Sequence, residues 1–202
     1  MTRTDVEVLE KETCFESFFR LERYHLRHRL FNGDWSQPIV RELLERGDAA
    51  AVLPYDPVRD EVILIEQFRV GAIAAADGPW LIEIVAGIIE TNETAEDVVK
   101  REGVEEAGCV ITNLIPLYNY LVSPGGTTER MHLYCGKVDA SQASGVHGVL
   151  EEGEDIKVNV VTLDHALSLL KSGKIIAASA IIGLQWLALN RDHVRTLWLT
   201  DK

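Results

Sequence analysis

The chain has 202 residues, 47% of them hydrophobic and 26% charged, enough for one well-buried core with a small accessory unit. Its formal net charge of −12 disfavours polyphosphate backbones, which argues against nucleic-acid binding and leaves carboxylate-held divalent cations open. No run of about 18 apolar residues occurs, MTRTDVEVLEKETC lacks the apolar centre of a signal peptide, and Cys14, Cys109 and Cys135 fit no zinc or disulfide pattern, so a soluble cytoplasmic protein without a membrane partner is expected.

In chain order, ESFFRLERYHLRHRL (Glu16 to Leu30) alternates large apolar with charged residues, and Asn32-Gly33 favours a tight turn, predicting a β-hairpin or small sheet. The composition shifts near Gly47, which predicts an N-terminal β-domain over residues 1–46 and a main domain over 47–202. About 45 residues do not sustain a core alone, so the first domain should pack on the main domain or on a second copy, and a homodimer is the economical expectation. The β-rich runs Ala49 to Leu53 and Glu61 to Phe68 flank the turn-forming PYDPVRD. PWLIEIVAGII predicts one more strand, and LIPLYNYLVSPGG and ERMHLYCGKVDA predict strands around a Gly-rich turn. TLDHALSLLKSGKI and ASAIIGLQWLALNRDHV carry helical periodicity. The class is α+β.

Between these elements lies GIIETNETAEDVVKREGVEEAG, Gly87 to Gly108. Thr94 and Asp97 form a capping-box-like start, Gly108 suits a left-handed cap, and a helix from about Ala95 to Ala107 follows. On it Glu102, Glu105 and Glu106 fall within an arc of roughly 100°. Like charges at these spacings repel, so folding alone gives no reason for the cluster, whereas Mg²⁺ would use it. A bare acidic face is most often simply solvated. The full spacing of Gly87, Glu93, Arg101-Glu102, Glu105-Glu106 and Gly108 is far more demanding, with a chance on the order of 10⁻⁸ per starting point.

That spacing resembles the signature of the Nudix hydrolases, GX5EX7REUXEEXGU with U a bulky aliphatic residue, departing from it at Gly103 and Cys109. Gly103 should loosen the helix by about 1 kcal/mol relative to Ala. The resemblance implies a Nudix fold, a mixed β-sheet sandwiched between helices, with Arg101 and Glu93 orienting the helix and loop. It also implies Mg²⁺, two or more ions with Mn²⁺ as a substitute, bound by Glu102, Glu106 and the Ala86 carbonyl, with Glu105 assisting. Beyond the motif, FFRLERYHLRHRLFNG, RELLERG, LPYDPVRDEVILIEQFR, SPGGTTER and GEDIKV resemble the bacterial ADP-ribose pyrophosphatases of that family over nearly the whole chain. By that resemblance Phe18, Phe19, Arg41, Glu42, Arg46, Arg69 and Ile88 bind substrate, with Ser123, Pro124, Gly125 and Glu129 contributed by the partner subunit of a homodimer.

Taken alone, the phenylalanines would serve equally as hairpin core, the arginines as surface ion-pair partners and SPGG as a turn. In LEEGEDIK a Gly among carboxylates suggests a mobile loop, and the resemblance makes Glu152 the general base and Glu154 a further metal ligand, with Glu151 an alternative base. The implied reaction is hydrolysis of ADP-ribose to AMP and ribose 5-phosphate. Another nucleoside diphosphate sugar, or a non-catalytic ADP-ribose-binding regulator, is the alternative reading.

Overall fold

The computed structural model describes residues 1–149, 151 and 153–200, which divide into two compact units: residues 1–48 with 120–130, and residues 49–119 with 131–200. In the first unit β1 (Val6–Glu16), β2 (Arg20–His28) and β3 (Ile39–Glu45) form an antiparallel sheet in the order β1-β2-β3. The Asn32-Gly33 pair does make a narrow turn, closed by Gly33 N–H on the Leu30 carbonyl (2.9 Å), but inside a longer β2–β3 connection. β structure was expected over residues 1–46, but β1 and β3 were not placed individually, because in a charged strand such as VEVLEKETCFE the apolar alternation is soon interrupted. Segment 122–129 returns to β3, with Leu44 N–H on the Gly126 carbonyl (2.8 Å) and Thr128 Oγ1 on the Glu45 carboxylate (2.7 Å).

This unit has no apolar core of its own. Its buried side chains, among the described residues, are Glu22 and Glu129, while Val6, Val8, Leu9, Phe15, Phe18, Phe31 and Val40 are exposed. Glu22 is held by Lys11 and Arg20, both at 2.7 Å, and by the Tyr24 hydroxyl at 2.9 Å; these hydrogen bonds, Lys11 first, keep its carboxyl below the usual range against the opposing effect of desolvation.

The second unit is built on one mixed sheet, ordered β10-β11-β5-β4-β9-β8. The strands are β4 (Ala49–Asp56), β5 (Glu61–Phe68), β8 (Asn113–Leu121, its last two residues lying in the first unit), β9 (Arg130–Lys137), β10 (Val146–His147) and β11 (Ile156–Thr162). β4 and β9 are parallel, and β4 is buried throughout. PWLIEIVAGII makes two strands where one was expected: β6 (Trp80–Glu83) pairs with β5, and β7 (Val85–Ile88) pairs with β4. An apolar run gives no sign of a change of partner within it, which only the sheet decides.

Helix α1 (Ala95–Ala107) covers one face through Val98, Val99 and Ala107, packed with Ala50, Val52, Ile63, Ile65, Val85, Ile156 and Val158. Helices α2 (Leu163–Lys171) and α3 (Ala178–Thr200) lie on the other side, where Gly183 lets α3 approach Leu53 and Ile84, and Trp198 lies 6.4 Å from the Tyr55 ring. The fold is thus α+β, a mixed sheet sandwiched between helices, and no helix is long and apolar enough to cross a membrane.

The turn between β4 and β5 is clamped from α3. Asp60 sits at φ 59°, a conformation Asp and Asn tolerate, and accepts from the Tyr55 hydroxyl (2.6 Å) and from both sides of the Arg191 guanidinium. Burial opposes its ionisation, but the bonds from Arg191 and Tyr55 with the charges of Arg191 and Arg195 prevail and hold its carboxyl below the ordinary 3.8. A depressed acid contributes stability above its unfolded pKa and loses it as pH falls through the folded one. Asp60→Asn should therefore lower the thermal midpoint at pH 7 by roughly 3–8 °C, corresponding to about 1–3 kcal/mol. That difference should shrink as pH drops below 3.8, and a difference unchanged down to pH 2.5 would refute the charged clamp.

Candidate metal and diphosphate site

The helix that presents the acidic cluster is bounded by local chemistry. Thr94 Oγ1 accepts from the Asp97 N–H (3.2 Å), and the Asp97 carboxylate accepts from the Thr94 N–H (3.1 Å), a complete capping box at the expected position. At the other end Gly108 has φ 59° and donates to the Val104 carbonyl, while Cys109 N–H donates to the Gly103 carbonyl. Gly103 also has a packing role in this helix. It is buried, and a Cβ there would lie 3.0 Å from Ile111 Cδ1 and 3.2 Å from the Cys109 carbonyl oxygen, so glycine lets the chain turn back tightly beneath the helix.

The three glutamates of the shared face are in three different states. Glu105 is exposed, Glu102 is mostly covered, and Glu106 is 2% exposed. Nor are they simply repulsive, because Arg101 bridges two of them: its Nη1 lies 2.8 Å from Glu102 Oε1 and 2.9 Å from Glu105 Oε2, while Nε and Nη2 hold Glu93 at 3.0 and 3.3 Å. Hydrogen bonding to Arg101 keeps the Glu93 carboxyl below the usual range and, led by Glu93, raises the affinity of Arg101 for its own proton. Folding thus supplies a reason for Glu102 and Glu105 that spacing alone did not show. Among the described residues no cation is bonded to Glu106. Its Oε2 accepts from the Ala86 N–H (2.9 Å), and burial pushes its carboxyl up to about 8; burial likewise raises Glu102.

Gly87 fixes the other wall. A Cβ at this position would lie 2.0 Å from Glu102 Oε1, so the carboxylate lies directly over the bare backbone of β7. Gly87→Ala must displace that carboxylate. Turnover should fall by about 10–100-fold with the fold intact, as when a group that orients a ligand is lost. Steady-state kinetics beside circular dichroism tests this, and unchanged activity would show that Glu102 is free to sit elsewhere.

Arg69 continues β5 in extended geometry, and its Nε lies 2.7 Å from Glu83 Oε2; its charge bears on Glu106. Ile88, half-buried, ends β7 opposite Ala49. Glu154 accepts from the Val149 N–H (3.0 Å), and its charge bears on both Glu102 and Glu106. The loop root is tied to α1, since Gly148 N–H donates to the Glu105 carbonyl (3.1 Å), one of the carbonyls a helix C-terminus leaves open. Glu151 is exposed, and Glu152 lies outside the described residues.

The sequence reading missed Glu83. A single carboxylate within the apolar run PWLIEIVAGII was the signal available. The donor set suits a hard divalent cation: Glu102 and Glu106 are buried carboxylates that burial drives toward the neutral form, and a cation keeps such groups charged. No closed cage of three His, Cys, Asp or Glu side chains is present among the described residues. Mg²⁺ characteristically uses one or two carboxylates together with waters and phosphate oxygens.

Within the first unit, Phe18 and Phe19 meet edge-to-face at 4.8 Å, and Phe18 is 81% exposed, which rules it out as hairpin core. The Arg46 guanidinium stacks 5.1 Å from the Phe19 ring and reaches the buried Glu129 at 3.4 Å, so these three form one group. Arg41 turns to the Val40 carbonyl and Glu42 pairs with Arg23 at 3.0 Å, both exposed. Ser123, Pro124 and Gly125 are exposed in a turn closed on the Ser123 carbonyl by the N–H groups of Gly126 and Thr127.

The NUDIX domain family model matches residues 45–181. The chain is 48% identical over 196 residues to the ADP-ribose pyrophosphatase of Escherichia coli (strain K12), covering 97% of this chain and 94% of that protein. It is 46% identical over 200 residues, covering 98% and 92%, to the ADP-ribose pyrophosphatase of Haemophilus influenzae. The GDP-mannose pyrophosphatase of Citrobacter koseri is more distant, 33% identical over 185 residues with 90% and 94% covered. Among solved structures, an ADP compounds hydrolase superposes with a TM-score of 0.70 at 22% identity, covering 92% of this chain and 96% of that one, a likeness of fold.

Proposed function

The chain belongs to the Nudix family, and from that premise we propose that it hydrolyses the diphosphate of ADP-ribose to AMP and ribose 5-phosphate. The observation that carries the reading is the 48% identity, along 97% of the chain, to an ADP-ribose pyrophosphatase, with every charged position of the motif retained.

In this reading Glu102, Glu106, Glu154 and the Ala86 carbonyl hold the cation, Mg²⁺ first and Mn²⁺ as a substitute. The N–H of Ala86 points at Glu106, and in an extended strand the carbonyl of the same residue points to the same side, so backbone and carboxylate face one position. When bound, the cation neutralises the diphosphate and lowers the pKa of a water. Arg101 fixes Glu102 and Glu105 in place, and Arg69, oriented by Glu83, is a cation available to a phosphate oxygen. Glu152 takes the proton of the attacking water. Phe18, Phe19, Arg41, Glu42, Arg46 and Ile88 bind the nucleoside and ribose parts. Ser123, Pro124, Gly125 and Glu129 contact substrate from a partner copy. A homodimer formed through residues 1–46 is supported by the exposed apolar side chains of a unit whose buried side chains are both charged. The protein acts in the cytoplasm.

GDP-mannose is the second substrate to weigh, because relatives acting on it match at 33%. Purified protein with Mg²⁺ should convert ADP-ribose to AMP and ribose 5-phosphate, read by chromatography, with a kcat/KM above that for GDP-mannose. The reverse order would overturn the substrate assignment while leaving the reaction class intact.

A further inference from the structure

Among the described residues one buried side-chain polar atom has no hydrogen-bond partner, the Nε2 of Gln67. Gln67 is 6% exposed and its Nε2 is buried, and a buried donor left unmade is costly enough that such groups are rare in folded proteins. Its place in the sheet says what it faces. On β5, Ile63 and Ile65 pack in the apolar cluster under α1, and alternation brings Gln67 to that same face. The strand stays extended to Arg69 (φ −129°, ψ 114°), so Arg69 also shares the face, joined there by Glu83, which is paired in register with Ile65 and ion-paired with Arg69. Gln67 therefore stands where the apolar core gives way to Arg69, Glu83 and the Glu106 carboxylate.

We propose that Gln67 is a substrate-binding residue, its side-chain N–H donating a hydrogen bond to a diphosphate oxygen of the substrate. A donor kept for folding would be paired within the fold. A diphosphate offers only acceptor oxygens, and the neighbouring Arg69 already makes this face attractive to an anion. The fold carries the unpaired amide at a cost in stability that ligand binding relieves, a pattern found at functional sites. This role rests on the diphosphate hydrolase reading above.

The test is Gln67→Met, which keeps the length of the side chain and removes the amide. A thermal midpoint at or above that of the parent, together with a kcat/KM for ADP-ribose reduced about ten-fold or more, is the expected result, because the unmade bond is removed from the free protein and a made bond from the complex. An unchanged kcat/KM overturns the proposal, and so does a joint fall in midpoint and activity, which marks a structural group. A second measurement uses the uniformly ¹⁵N-labelled parent protein, in which the Gln67 side-chain amide signal is assigned by its loss in Gln67→Met. On adding Mg²⁺ and the methylene analogue of ADP-ribose, whose bridging CH₂ resists cleavage, the Gln67 signal should shift saturably; backbone signals of α1 that shift while Gln67 does not would refute the role. Failure of the parent protein to bind or cleave ADP-ribose would instead strike at the substrate assignment, so the two failures are separable.

Discussion

Replacing Glu106 by Gln should abolish turnover of ADP-ribose, a loss on the order of 10³ in kcat/KM, while leaving the thermal midpoint at pH 8 no lower than that of the parent. Glu106 is 2% exposed, and its contacts are unequal in what they require. The Ala86 N–H needs only an acceptor oxygen, which Gln supplies; a divalent cation needs the negative charge, which Gln lacks. Burial works against that charge, pushing the carboxyl up to about 8, so its removal relieves a desolvation cost in the metal-free fold. The paired measurement is product formation by chromatography and thermal unfolding in EDTA. Retention of more than a tenth of the parent activity would remove Glu106 from the cation site. A collapsed midpoint would mean that its role is in the fold.

The second large effect belongs to Arg101. One planar guanidinium here serves three carboxylates, with Nε and Nη2 on Glu93 and Nη1 shared between Glu102 and Glu105. An ammonium is a single point charge without that fork, so Arg101→Lys keeps the charge and loses the arrangement. The apparent affinity for Mg²⁺ should fall about 10–100-fold, as for other groups that orient a metal ligand, with a drop of only about 2–4 °C in thermal midpoint. Kinetics across a Mg²⁺ titration would read this directly. If kcat fell at saturating Mg²⁺ with no change in the Mg²⁺ dependence, Arg101 would act on the substrate instead of through Glu102.

Elements with a local cause were legible in the sequence. The capping box at Thr94 and the left-handed glycine at Gly108 are settled within a single turn of chain, which is why α1 runs from Ala95 to Ala107 as expected. The C-terminal helices follow from apolar periodicity in the same way. Elements with a distant cause were not. The strands β1 and β3 carry mixed or charged faces whose partners lie elsewhere in the chain, and the division of PWLIEIVAGII between β5 and β4 depends on two neighbours that the run itself does not contain. Gly103 shows the same limit at a single residue: read within its helix it is a weak helix former, and read in the fold it makes room for Ile111.

By itself, the sequence determined the acidic cluster, the helix that carries it and the family to which the chain belongs, because these depend on residue identity and short spacing. The tertiary structure decided how the cluster is used. Three glutamates equivalent on a helical wheel became one exposed, one bound to Arg101 over Gly87 and one buried against Ala86, since exposure depends on which strand lies beneath each turn of the helix. The same cause set Glu83 on Arg69 and buried a Gln67 amide nitrogen that has no partner among the described residues, as sheet register brings together residues that are distant along the chain.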